Sequence, residues 1–407
     1  MKLPRRLKSH FLITISLLFL FFMIGGCSGT TPETGNANQT KTAAETVINP
    51  PSTFAELLGL VPADSFSGQR RDILILSDHA SLYRDYGVSF SDFSNIEELM
   101  NLPDSDIFIN FYAGSDITGY GNYADRTTIK KEYVGYDISS IDAEIQFGIP
   151  PLNAVAAIGR FDPEITNNAL SNQADWPDWA INAYTTENYS GVTIHSWGNG
   201  LRINLETRLV PPHIDALGRA RPLAVTNRYL FYCGSLEAVK EMIDASQNTM
   251  QSLADLPEYA AIAKGLTDLK AYVALVGEAS SLNNYMSVID YDPKLTQEQI
   301  NELKANIGPR LKKFLAFGSG QGKDDKGYYT AIVLYHENPA DALANVSLLK
   351  ERLESSKSFV FDVTWSEIIT ETDIQADGNV LIARLYSRMG IWTNWVYAQD
   401  NLLLHEE

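Results

Sequence analysis

The sequence predicts an α+β fold: antiparallel sheets with helices packed on one face, in two halves that each read β…β-α-β-β-α. Three observations lead there. Short apolar runs of strand length occur without regular βα alternation. Proline, asparagine and glycine punctuation marks hairpins and helix starts. The chain also echoes itself at an offset of 200 residues, where LILSDHASLYRDY (74–86) aligns with ALVGEASSLNNYM (274–286).

The N-terminus has three parts. Residues 1–10 are basic, residues 11–24 (FLITISLLFLFFMI) are almost wholly apolar, and Gly25, Gly26 and Cys27 follow. Fourteen helical residues would span about 21 Å at about 1.5 Å each, short of a hydrocarbon core of about 30 Å. The pattern is that of a secretory leader. The segment IGGC (24–27) resembles the lipobox of bacterial lipoproteins. That resemblance implies a diacylglyceryl group on the Cys27 thiol and cleavage before Cys27. Acylation of the freed amine, with palmitate as a donor chain, would follow. Each buried methylene contributes about 0.8 kcal/mol, so two or more chains anchor stably.

Residues 28–52 are rich in Thr, Asn, Gly, Ala and Pro and have little to bury. They read as a tether with a root-mean-square reach of about 25–30 Å. The resulting plan is a leader at 1–26, the lipidated cysteine and tether at 27–53, a first α+β half at 54–268 and a second at 269–407.

In the first half TFAELLGLVP (53–62) opens a short helix, and DILIL (72–76), NAVAAIGRF (153–161) and GVTIHSW (191–197) read as strands. The run PLAVTNRYLFYCG (222–234) reads as a strand or a hairpin, and SLEAVKEMIDA (235–245) as an amphipathic helix capped by Ser235. Asp162-Pro163 and Asn338-Pro339 each end a strand and start a helix, with the polar residue as N-cap and proline at the first helical position. In the second half residues 296–314 open with a capping-box pattern, Thr296 and Gln299, and keep helical spacing. Asp377-Gly378 marks a tight hairpin. The C-terminal run places Met389, Trp392, Val396 and Leu403 along one helical face, a docking face for the body. His405 falls in a tail that reads as exposed and acidic.

The body also resembles a family of uncharacterised bacterial exported proteins, through LLGLVPAD (57–64), VAAIGRFDPEI (155–165), YSGVTIHSW (189–197) and YLFYCGSLEAVKEMID (229–244). The resemblance implies a shared fold and no particular chemistry.

Net charge is −18; without the four basic residues of the leader, 28 basic residues face 50 acidic ones. A body this acidic repels phosphate backbones, which excludes nucleic acid as a partner. The only other cysteine, Cys233, lies in an apolar strand and reads as an inert core residue.

No catalytic or metal motif emerges. The glycines of FGSGQGKDDKGYY (317–329) miss the phosphate-loop spacing, and the segment reads as a hairpin turn. The histidines lack partners at metal-binding spacing. After Asp290 and Asp292, Leu295 stands where a calcium loop needs glycine. No cofactor is expected. Two aromatic patches are candidates for ligand or partner contact: Trp176 and Trp179 in DWPDWA, and Tyr120 and Tyr123 in GYGNY. The other reading of the tryptophans is that they pack a loop onto the core.

These readings point to a non-enzymatic lipoprotein of the cell membrane or outer envelope, lipid-anchored and facing outside the cytoplasm. Its body would bind a protein or glycan partner or serve an envelope structural role. A hydrolase with an unrecognised site and the solute-binding component of a transporter are the alternatives.

Overall fold

A computed structural model describes residues 53–64, 73–85, 134–136, 140–148, 152–174, 176, 178–198, 200–203, 219, 221–282, 296–305, 308–361, 363–387, 391–393 and 400–406. The expectations for the leader, Cys27, the tether, Tyr120 and Tyr123 lie outside these residues.

Among the described residues one twelve-stranded sheet organises the body. Its strands are β1 (Ile73–Asp78), β2 (Ile141–Phe147), β3 (Ala154–Gly159), β4 (Tyr184–Tyr189), β5 (Val192–Trp197), β6 (Leu223–Val225), β7 (Tyr229–Cys233), β8 (Val273–Glu278), β9 (Ala316–Asp324), β10 (Gly327–Tyr335), β11 (Glu371–Asp377) and β12 (Val380–Tyr386). Their spatial order is β11-β12-β10-β9-β8-β1-β2-β3-β7-β6-β5-β4. Every neighbouring pair runs antiparallel. The strands of residues 54–268 fill one side of the sheet and those of 269–407 the other, meeting at β1 and β8.

The α-helices among the described residues are α1 (Thr53–Leu58), α2 (His79–Asp85), α3 (Pro163–Ser171), α4 (Asp178–Ala183), α5 (Leu236–Ser246), α6 (Pro257–Asp268), α7 (Gln297–Ala305), α8 (Pro339–Ser355) and α9 (Trp365–Ile368). Local chemistry starts α3, α7 and α8 where the sequence reading places them. The Asp162 carboxylate accepts from the Ile165 amide at 3.0 Å, and the Asn338 side chain accepts from the Asp341 amide at 3.0 Å. Thr296 and Gln299 bond reciprocally. Ser235 occupies the N-cap position of α5 but makes no side-chain capping bond. Helix α7 ends at Ala305, short of the predicted 314, and Gly308 (φ +74°) and Pro309 follow it.

The expectation of helices on one face is corrected by the packing. Along β8, Ala274 and Val276 face one core while Val273 and Leu275 face another. The first core continues across the sheet under α1, α5 and α6. The opposite face carries two cores: one under α8 in the second half, one under α3 and α4 in the first. The cause is legible in β3, whose six residues are all buried. A strand apolar on both faces needs cover on both, and each fully buried aliphatic side chain contributes about 1.5–3 kcal/mol.

Three further readings resolve. Residues 222–234 form a hairpin, β6–β7. The glycine-rich segment does join two strands, but Gly318, Gly320 and Gly322 lie within β9 and the turn is at Asp325-Lys326. Asp377-Gly378 closes the β11–β12 hairpin, with Gly378 at φ +58°.

The C-terminal docking helix is corrected where it is described; Met389 and Val396 lie outside the described residues. Among the described residues there is a short 3-10 turn, Ile391–Thr393, and then a non-helical tail at 400–406. Trp392 and Leu403 still share one core. The tail's carbonyls are taken by the buried Arg352 guanidinium, whose Nη1 donates to Asn401, Leu402 and Leu404 at 2.9, 2.9 and 2.8 Å. The guanidinium thereby satisfies carbonyls that the tail buries against the core. The exposed setting expected for His405 is also corrected. Its ring lies 4.4 Å from Phe314, and its Nε2 is 3.0 Å from the Ala279 carbonyl.

Candidate functional site

The predicted aromatic contact residue Trp176 sits between α3 and α4 and folds back onto the β4–β5 hairpin. It is 8% exposed, and its ring centre lies 5.1 Å from Tyr184 and 6.0 Å from Trp197. Tyr184 and Trp197 are cross-strand partners at the open end of that hairpin. Trp179 lies on α4, but its side chain is outside the described residues.

Period-two alternation along GVTIHSW puts His195 on the same sheet face as Trp197. The imidazole stacks on Tyr184 at 5.9 Å and is 1% exposed. Asn167 and Ser171 lie one turn apart on α3, so both side chains face this hairpin.

The four groups form a hydrogen-bonded chain. His195 Nε2 is 2.9 Å from the Asn167 carboxamide oxygen, His195 Nδ1 is 2.8 Å from Tyr184 Oη, and Tyr184 Oη is 2.9 Å from Ser171 Oγ. A proton on Nε2 donates to Asn167, which leaves Nδ1 to accept from the Tyr184 hydroxyl, which accepts in turn from Ser171. Burial pushes the His195 imidazole down to about 4, and burial also raises the Tyr184 phenol, the Ser171 bond working against it. A histidine so reluctant to protonate is a weak base near neutral pH. The chain braces α3 against the hairpin, and Tyr184 stands between His195 and Ser171.

A second polar cluster lies at the β1–β2 seam, between the two cores of that sheet face. His79 Nε2 is 3.9 Å from Glu144 Oε2, both side chains being buried. Burial, with the Glu144 charge adding to it, holds the Tyr83 phenol well above its ordinary range. Burial likewise raises the Asp142 carboxyl, against the pull of Arg160 at 3.6 Å.

The remaining histidine network is structural in form. His336 Nε2 meets the Asn345 side chain at 2.7 Å, and Asn345 also bonds the Lys312 amide and carbonyl. Among the described residues no group of three or more His, Cys, Asp or Glu is placed to hold a metal ion.

Sequence reading missed Tyr184, Asn167 and Ser171 as partners of His195. The alternation in GVTIHSW was a usable signal for the His–Trp face. Nothing in the sequence announced that α3 would lie against it.

No family model and no curated protein matches the chain. Among solved structures it is similar to crystal forms I, III and IV of TP0453, with TM-scores of 0.38, 0.36 and 0.33 and identities of 10, 11 and 12%. The alignments cover 85, 81 and 80% of this chain and 98, 93 and 89% of that one.

Proposed function

We propose that the protein is an extracytoplasmic lipoprotein, held to the membrane by lipid on Cys27, whose α+β body binds a partner. The observation that carries this reading is the apolar leader ending in Ile24-Gly25-Gly26-Cys27. Cys233 adds support. It is fully buried in β7, its thiol is pushed up to about 11 by burial, and a bridge from it to Cys27 would require opening the core. No helix among the described residues is long and apolar enough to cross a membrane.

Two observations favour a binding role over the alternatives. The weakly basic His195 argues against a hydrolase at the aromatic cluster. One antiparallel sheet argues against the doubly wound lobes of a solute-binding component. The acidic charge disfavours nucleic acid.

The body is, in this reading, a duplicated unit. Ile75 pairs with Leu275, Leu74 with Val276 and Leu76 with Ala274. Exchanging each residue for the one 200 positions away turns this set of pairs into itself, as a local two-fold axis would require. Outward from the seam, β2, β3, β7 and β6 correspond to β9, β10, β12 and β11, and α3 corresponds to α8.

The test of attachment is Cys27→Ala in the native host with radiolabelled palmitate. Loss of label and release from the membrane fraction are expected. Unchanged label and fractionation would end the proposal.

A further inference from the structure

The two edges of the sheet are built differently. Edge strand β11 carries Glu371, Asp373 and Asp377 and packs Ile374 into the core with α8. Such charges deter pairing with another acidic strand, and Lys326 and Arg384 of this chain already face Glu371 and Asp373. Edge strand β4, Tyr-Thr-Thr-Glu-Asn-Tyr, has a single charge, and Thr185, Thr186 and Asn188 are exposed.

The β4–β5 hairpin turns through Ser190 (φ +48°) and Gly191 (φ +82°), two consecutive left-handed residues of a two-residue loop. In that geometry Tyr189 and Glu187 exchange their backbone bonds with β5, whereas Thr186 and Asn188 direct N–H and C=O away from it. The outer edge of β4 thus presents a short ladder with nothing paired to it among the described residues.

Charge beside that edge selects what fits. On the α5 side, Lys240 is shared by Glu187 at 2.9 Å and Glu237 at 3.2 Å. Asp244 accepts from Tyr189 at 2.7 Å, beneath the same lysine. Two carboxylates therefore share one ammonium, and a third, Asp244, holds the hydroxyl of the tyrosine beneath it. A second copy of this chain would bring the same carboxylates against them, on a body already at −18.

We propose that the outer edge of β4 captures an extended segment of a partner protein bearing Lys or Arg at alternate positions. Main-chain bonds to Thr186 and Asn188 would hold it, and its cations would line up beside Glu187 and Glu237. The inference rests on the binding role proposed above. It is independent of the lipid anchor, so failure of peptide capture and failure of palmitate labelling are separate results.

The test is fluorescence anisotropy of the purified full-length chain with a short labelled peptide alternating valine and lysine. Thr186→Pro removes only an outward N–H, which an edge strand tolerates, and should weaken binding about tenfold or more. Glu187→Lys should weaken it about tenfold and favour a valine–glutamate peptide instead. A valine–lysine peptide N-methylated at alternate amides should fail to bind the unaltered protein, a control that needs no protein variant. Equal binding of the N-methylated peptide, equal binding of the valine–glutamate peptide, or wild-type affinity in Thr186→Pro would each overturn the proposal. So would a dimer in sedimentation velocity that Thr186→Pro dissolves, because the edge would then hold a second copy.

Discussion

Ile75 stands directly opposite Leu275 across the antiparallel pair of β1 and β8. This contact joins the two halves of the sheet, and every other strand lies outward from it. The helices that follow β3 and β10 begin with the same device, a polar N-cap and then proline. Asp162→Ala and Asn338→Ala are each expected to cost about 1 kcal/mol, measured by urea unfolding. Effects at these remote sites should add. A loss at one site only would mean that the two caps do different work.

His195 makes stability depend on pH. Its folded pKa of about 4 lies below the ordinary value of 6.5, so the unfolded chain binds the proton more readily between those values. Stability from the neutral, buried ring is fully present above about pH 6.5 and falls as pH drops toward 4. The total is about 3 kcal/mol at most. The stability difference between wild type and His195→Gln should shrink over that window. A constant difference between pH 7 and 4 would contradict the assignment.

Arg352 holds the C-terminal tail through Nη1 bonds to three carbonyls, and Nη2 also donates to Pro309. Arg352→Ala would leave these acceptors and a cavity buried, at a cost of about 3–5 kcal/mol. Trp365 Nε1 donates to Asn401 Oδ1 at 3.1 Å, so quenching of tryptophan fluorescence should report release of the tail. Wild-type stability in this variant would show that water replaces the guanidinium at no cost.

Gly265 lets α6 approach β10. A Cβ there would lie 2.7 Å from a Val333 methyl, and one on Gly318 would lie 2.7 Å from Ile262. Gly265→Val should destabilise by about 1–3 kcal/mol in chemical unfolding. Gly265→Val combined with Val333→Ala should recover part of that loss. No recovery would place the strain elsewhere.

Cys233 is buried, with its thiol pushed up to about 11. Thiol reagents at pH 8 should therefore leave it unmodified in the folded protein and titrate it only after denaturant is added. Rapid modification of the native protein at Cys233 would mean that β7 opens readily.

Several features were legible from local chemistry. The Asp-Pro and Asn-Pro helix starts, the Thr296–Gln299 box, the hairpin at Gly378 and the buried character of Cys233 each depend on neighbours within a few residues. The mixed α+β class with antiparallel pairing followed from the same short-range signals. In the candidate site Trp176 stood out by composition, whereas the alternation of GVTIHSW, which carries His195 and Trp197 to one face, was a signal the sequence reading did not use.

By itself, then, the sequence determined where elements begin and which faces are apolar, because capping bonds, turn dihedrals and side-chain periodicity are set by adjacent residues. Only the tertiary structure decided that the described strands form one sheet with helices on both faces, that Asn167 and Ser171 reach the His195–Tyr184 pair, and that Arg352 holds the non-helical tail at 400–406. Those outcomes turn on which distant groups meet when water is excluded. A buried imidazole or guanidinium takes whichever partner the packing brings within hydrogen-bond distance, and no local pattern encodes that partner.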